Sequence, residues 1–155
     1  MKNSDPIALL QNLIRCPSIT PKEAGVLTYL ESVLSPAGFT CTRLPFSTPD
    51  TPDVDNLFAR FGEKGPHLCF AGHVDVVPTG DEALWSFPPF DAVIKDGVMY
   101  GRGTSDMKGG VAAFTAAAVD FVNAKNGQFN GSISFLITGD EEALLLTAPP
   151  KCWIG

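Results

Sequence analysis

Apolar residues at Ile7, Leu10, Leu13 and Ile14 recur three to four positions apart, the spacing of one face of a helix. Ser4 or Asp5 can cap that helix, Pro6 suits its first position, and Cys16-Pro17 ends it. Past the turn from Pro17 to Pro21, the residues Val26, Leu27, Leu30 and Val33 predict a second helix from about Lys22 to Leu34, closed near Ser35-Pro36-Ala37-Gly38. The period then changes to two. Phe39 to Phe46 reads as a strand, Ser47 to Asp55 as an exposed connection rich in aspartate and proline, and Asn56 to Phe61 as another strand. Gly62 to Pro66 resembles a hairpin turn, which would pair that strand antiparallel with the apolar run Leu68, Cys69, Phe70 ending at His73. Ala92 to Ile94 and Val98 to Tyr100 flank a turn at Lys95-Asp96-Gly97, and the alanine-rich stretch Val111 to Val122 predicts a long buried helix. In the last strand, Gly131 to Thr138, Ile133, Phe135 and Ile137 alternate with Ser132 and Ser134. Together these elements predict an α/β fold, a central mixed sheet with helices packed in three α/β/α layers. Because such a sheet leaves an unpaired edge and apolar surface, the chain is expected to self-associate or to pack against a partner.

Composition narrows the function. With 155 residues, 45% hydrophobic and 18% charged, the chain is of ordinary globular make-up and long enough for one sizeable core. A net charge of −6 without a basic stripe excludes a nucleic-acid partner. Asp5, Pro6, Gln11 and Asn12 interrupt the apolar residues of the N-terminus, so it is not a signal peptide, and no run is of membrane-spanning length. A cytoplasmic protein without a membrane partner is expected. Cys16, Cys41, Cys69 and Cys152 have no C-x-x-C spacing and suit small buried hydrophobes or free thiols, with no chemistry assigned to them.

Candidate chemistry gathers where strands run out. In Ala71 to Pro78, AGHVDVVP, His73 and Asp75 leave a strand on the same face, which suits a metal-ligating imidazole oriented by a carboxylate. A lone H-x-D is, however, more often a strand ending in polar residues. The loop Gly101 to Gly110, GRGTSDMKGG, has neither phosphate-loop nor dinucleotide spacing, and Asp106 would place a carboxylate where phosphate should sit; a metal ligand is the better reading. Strand Gly131 to Thr138 ends in Gly139-Asp140-Glu141-Glu142, either a solvated acidic run or a pair in which one carboxylate ligates and the other takes a proton from water. The loop Trp85-Ser86-Phe87-Pro88-Pro89-Phe90 is either a satellite cluster of its own aromatics or a wall facing substrate.

Taken together, GHVDVVPTGD, WSFPPF, DGVMYGRGTSDMKGG and SISFLITGDEE resemble the di-zinc amidohydrolases of the M20 peptidase family, in the same order over most of residues 5 to 143. The resemblance implies a zinc-hydrolase catalytic domain with His73 on one zinc, Asp106 bridging two, Glu142 on the other, Glu141 as general base and Asp75 orienting His73. Zn²⁺, with Co²⁺ as a substitute, is the implied cofactor, and an N-acyl amino acid the small-molecule substrate. Within the family the wording around TGDEE and the Trp85 loop tilts toward removal of succinate from N-succinyl-LL-2,6-diaminopimelate in lysine and diaminopimelate biosynthesis. Acetylornithine deacetylation, other aminoacylase or carboxypeptidase activity, or a non-catalytic metal-binding fragment are the alternatives. Family members are longer, with a lid domain that forms a homodimer, a further acidic ligand and a C-terminal histidine. The sequence therefore divides into 1–143, the N-terminal part of a catalytic domain, and 144–155, an aberrant or non-family tail. Each ion would then lack one protein ligand, so incomplete metal binding and feeble catalysis are expected of this chain.

Overall fold

The computed structural model describes residues 5–49 and 51–142; the tail 144–155 and Cys152 lie outside them. Asp5 caps helix α1 (Pro6–Ile14), its Oδ1 accepting the Ile7 N–H at 2.9 Å. Leu9, Leu13 and Ile14 are buried, whereas Ile7 stays exposed. Helix α2 (Val26–Leu34) starts later than its apolar spacing predicts. Ala24 and Gly25 have φ of 49° and 85°, which a right-handed helix cannot contain.

Strand β1 (Thr40–Thr48) turns directly into β2 (Thr51–Phe61), so the connection expected from Ser47 to Asp55 is instead two paired strand ends. The prolines misled. Pro52 falls where the β1–β2 register shifts and beyond the reach of the next neighbour, so its missing N–H interrupts no central ladder. Strand β3 (His67–His73) follows, then the short hairpin β4 (Val93–Lys95) and β5 (Val98–Tyr100), turned by Asp96 and Gly97 at φ 52° and 78°. This is the Asp-Gly geometry that suits two-residue hairpins. Helix α3 (Gly109–Ala124) and strand β6 (Ser132–Thr138) complete the described elements.

The main sheet has the order β1-β2-β6-β3. The expected antiparallel pairing of β2 with β3 does not occur, because β6 lies between them, antiparallel to β2 and parallel to β3. Insertion of β6 has a clear cause: it is buried on both faces, so it belongs at the centre. One face presents Leu57, Ala59, Ile133, Phe135 and Ile137 to a single core shared with α1, α2 and α3. Phe135 is its hub, with ring centroids of Phe39, Phe114 and Phe70 at 5.5, 5.0 and 6.4 Å. The other face is polar along β6, where Arg60 Nη2 donates to Ser132 Oγ at 3.2 Å and His67 Nε2 lies 2.8 Å from Ser134 Oγ. His67 thus sits at the far end of β3 from His73 in a structural role. Cys69, expected inside the strand's apolar run, is exposed because β3 is an edge.

Candidate metal centre

The parallel pair β3 and β6 runs out side by side, with His73 opposite Thr138. Ligands of open α/β sheets belong at such carboxyl ends. Beyond His73 the chain stays extended: Val74 N–H donates to Thr138 O at 3.0 Å, and Ile19 pairs with Val76. Beyond Thr138 it turns through Gly139, where a Cβ would collide with the Asp55 carbonyl oxygen. The Gly139 N–H donates instead to Asn56 Oδ1 at 3.2 Å, while Asn56 Nδ2 donates to Leu44 O at 3.1 Å, so a buried amide fixes where β6 exits.

Asp75 organises the two strand ends. It is 1% exposed, and its carboxylate accepts Glu141 N–H at 3.1 Å, Glu142 N–H at 2.9 Å and the Thr20 hydroxyl at 2.6 Å. His73 Nδ1 stands 3.4 Å from Asp75 Oδ1 and 3.2 Å from the Asp75 carbonyl oxygen. Burial alone would raise this carboxyl, but the hydrogen bonds from His73, Thr20 and the two backbone amides hold it below the usual range. Asp75 therefore stays ionised beneath His73.

With Nδ1 held, Nε2 points to the mouth of the site, 3.1 Å from Asp106 Oδ1 and 3.8 Å from Glu141 Oε2. His73, Glu141 and Glu142 offer ligand atoms that all lie within 4.8 Å of one another. The sequence-derived candidates His73, Asp75, Asp106, Glu141 and Glu142 are thus brought together, with Asp106 and Glu141 beside the histidine Nε2 and Glu142 in the same cluster. Asp106 reaches the site from a broken helical turn, Thr104–Lys108, in which Asp106 and Met107 have φ of −128° and −126°.

The electrostatics suit a divalent cation. Burial works against charge on His73, yet the hydrogen bond and charge of Asp75, with Asp106 beyond, raise it to about 9. Nε2 lies among carboxylates where a cation would be held. Glu142 is raised by burial and by its acidic neighbours Asp106 and Glu141, with His73 opposing. One imidazole and three carboxylates, mutually repelling unless a positive charge sits between them, make a donor set that fits such an ion. Asp140 is a different matter: it is buried, burial followed by Asp75 raises its carboxyl, and its Oδ2 has no hydrogen-bond partner among the described residues.

Three residues outside the predicted set shape the site: Thr20, Asn56 and Lys108. Lys108 is fully buried, and its ammonium donates to the carbonyl oxygens of Leu13 at 2.9 Å and Cys16 at 2.8 Å. Burial pushes it down to about 8, with Cys16 and Asp75 acting the other way. A lysine just before a mostly apolar, alanine-rich helix was the available signal; Thr20 and Asn56 offered none. The aromatic loop packs against the β4–β5 hairpin. Phe87 packs on Tyr100 with centroids 5.0 Å apart, and Leu84, Trp85, Phe87 and Tyr100 line a cavity of about 480 Å³.

The model of peptidase family M20/M25/M40 matches residues 69–147, more than half of the chain. Over 138 residues the chain is 62% identical to the succinyl-diaminopimelate desuccinylase of Rhodospirillum centenum, covering 89% of this chain and 36% of that protein. It is 58% identical over 148 residues to the desuccinylase of a Bradyrhizobium species, covering 96% of this chain and 38% of that one. The chain therefore spans little more than a third of the length of these curated relatives. Among solved structures, the dipeptidase Dug1p of Saccharomyces cerevisiae superposes with a TM-score of 0.73 at 25% identity, covering 89% of this chain and 32% of that one. Human carnosine dipeptidase 1 gives a TM-score of 0.71 at 26% identity, with 91% and 33% covered. The chain, with its histidine and carboxylates meeting at the ends of two parallel strands, belongs to peptidase family M20/M25/M40.

Proposed function

We propose that residues 1–143 are the N-terminal part of a metal-dependent amidohydrolase domain, the family match itself ending at residue 147, with the residues beyond it a non-family tail. In this reading the whole protein removes succinate from N-succinyl-LL-2,6-diaminopimelate in cytoplasmic lysine and diaminopimelate biosynthesis. The observation that carries the hydrolase reading is the convergence of His73 Nε2 with Asp106 at 3.1 Å and with the Glu141–Glu142 pair. The names of the relatives at 58% and 62% identity support the choice of substrate.

His73, Asp106 and Glu142 would hold the zinc, with cobalt as a substitute. When bound, the ions supply Lewis-acid polarisation of the amide carbonyl and a lowered water pKa. Glu141 Oε2, on an exposed side chain at the mouth, accepts the proton of the attacking water and returns it to the departing nitrogen. Water oxygen bonds to the carbonyl carbon, the C–N bond breaks, and succinate and a free amine leave. Asp75 Oδ1 holds the Nδ1 proton of His73, so that Nε2 presents its lone pair outward. The whole protein works as a homodimer on a small N-acyl amino acid, with neither nucleic acid nor membrane as partner.

The test is a rate comparison of the full-length protein on N-succinyl-diaminopimelate, N-acetylornithine and unblocked dipeptides. A kcat/KM highest for the succinylated substrate is expected. Preference for acetylornithine or for dipeptides would overturn the assignment of substrate while leaving the hydrolase reading in place.

A further inference from the structure

The two arms of the metal centre come from distant parts of the chain, and a third stretch touches both. Leu13 to Thr20 includes the last turn of α1 and the loop after it. On one side it lies along the His73 arm. Ser18 Oγ donates to Val74 O at 2.6 Å, Val76 N–H donates to Ser18 O at 2.9 Å, Thr20 N–H donates to Val76 O at 3.3 Å, and the Thr20 hydroxyl donates to Asp75. On the other side its Leu13 and Cys16 carbonyls receive the Lys108 ammonium, two residues after Asp106. Asp106 itself has an exposed side chain whose hydrogen bond among the described residues is to His73, so nothing on its own side chain fixes it in depth.

Lys108 is built in rather than incidental. Gly103 sits at φ 82°, and a Cβ there would meet Val76 at 2.7 Å and the Lys108 stem at 3.3 Å, so the glycine clears the channel through which the lysine reaches α1. A buried ammonium is costly unless its protons are matched, and carbonyls at the C-terminus of a helix, where the peptide dipoles point their negative end, are favourable partners. That stretch also lies outside the residues the family model matches.

We infer that the 13–20 segment sets the spacing between the His73 arm and the Asp106 arm of the metal centre, with Lys108 and Thr20 as positioning residues that contact neither ion nor substrate. The inference rests on the metal reading of the His73, Asp106, Glu141 and Glu142 cluster. Loss of the ammonium at 108 frees the turn that carries Asp106, and loss of the hydroxyl at 20 frees Asp75 and, through it, His73.

Zinc is titrated calorimetrically into the 155-residue chain and into its Lys108→Met, Thr20→Val, His73→Ala and Leu30→Ala variants, with folding checked by circular dichroism. Leu30, buried in α2 away from the centre, controls for general loss of stability. Lys108→Met and Thr20→Val should each weaken zinc binding by about tenfold or more, as removal of supporting partners of metal ligands does. Leu30→Ala should leave zinc affinity at the parent value, and the visible absorption of the cobalt-loaded Lys108→Met chain should differ from the parent's. If Lys108→Met does not fold, Thr20→Val decides. Parent-like zinc affinity in the folded variants, or an equal loss in Leu30→Ala, overturns the inference. Absence of zinc binding by the parent, or binding indifferent to His73→Ala, instead defeats the metal reading beneath it.

Discussion

The Asp75 carboxylate accepts from Thr20 and from the amides of Glu141 and Glu142 at once, and it stands 3.4 Å from His73 Nδ1. An amide in its place can accept through only one atom and must turn an N–H toward a donor. Asp75→Asn is therefore expected to destabilise the chain by about 1–3 kcal/mol, the cost of leaving buried donors unmatched. Urea unfolding measures it, and a variant as stable as the parent would show that the clamp contributes nothing to folding. His73, Asp75, Asp106 and the glutamate pair were legible in the sequence because their motifs occur together and in order as they do in a known family, although each alone reads as polar residues ending a strand or opening a helix. Lys108, Thr20 and Asn56 were not, since what each does depends on which carbonyl or amide the fold brings to it. Even the division of labour between Glu141 and Glu142 is invisible in their adjacency, as both lie close to His73.

Elements were easier to find than to join. Helical spacing located α1, α2 and α3, and the Asp-Gly turn located the β4–β5 hairpin, because these signals are local. The order β1-β2-β6-β3 was hidden for two reasons. The short 62–66 link imitates a hairpin, and the serines of β6 imitate a solvated face although Ser132 and Ser134 are buried beneath Arg60 and His67. Burial on both faces makes β6 the strand on which the others depend. Phe135, fully buried and ringed by Phe39, Phe70 and Phe114, joins the sheet to α3. Phe135→Ala should cost about 3–5 kcal/mol by lost burial and an unfilled cavity. A drop below about 1 kcal/mol in chemical unfolding would mean that the neighbouring rings close the space, and that the hub is less central than its contacts suggest.

At the scale of the whole molecule the consequential feature is the β3 edge. Among the described residues β3 pairs with β6 alone, so its other side presents unpaired N–H and C=O groups along seven residues. Natural edges are usually blunted by charge, proline or a bulge, and β3 carries none of these between His67 and His73. Leu68 is 58% exposed on this strand, and Phe121 is 40% exposed beside an apolar groove of about 580 Å³ that Leu68, Phe114, Phe129 and Ile133 also line. A strand edge and an apolar groove on the same flank favour pairing of two copies of the chain, since pairing satisfies the backbone groups and covers the apolar surface together. Sedimentation of the 155-residue chain should accordingly give a mass above 16.5 kDa that rises with concentration. Leu68→Lys places a charge on the edge without entering the core or the metal centre, and it should return the chain toward monomer while leaving zinc binding intact. A parent chain that stays monomeric at every concentration, or a Leu68→Lys chain that associates as strongly as the parent, would locate the association elsewhere or remove it altogether.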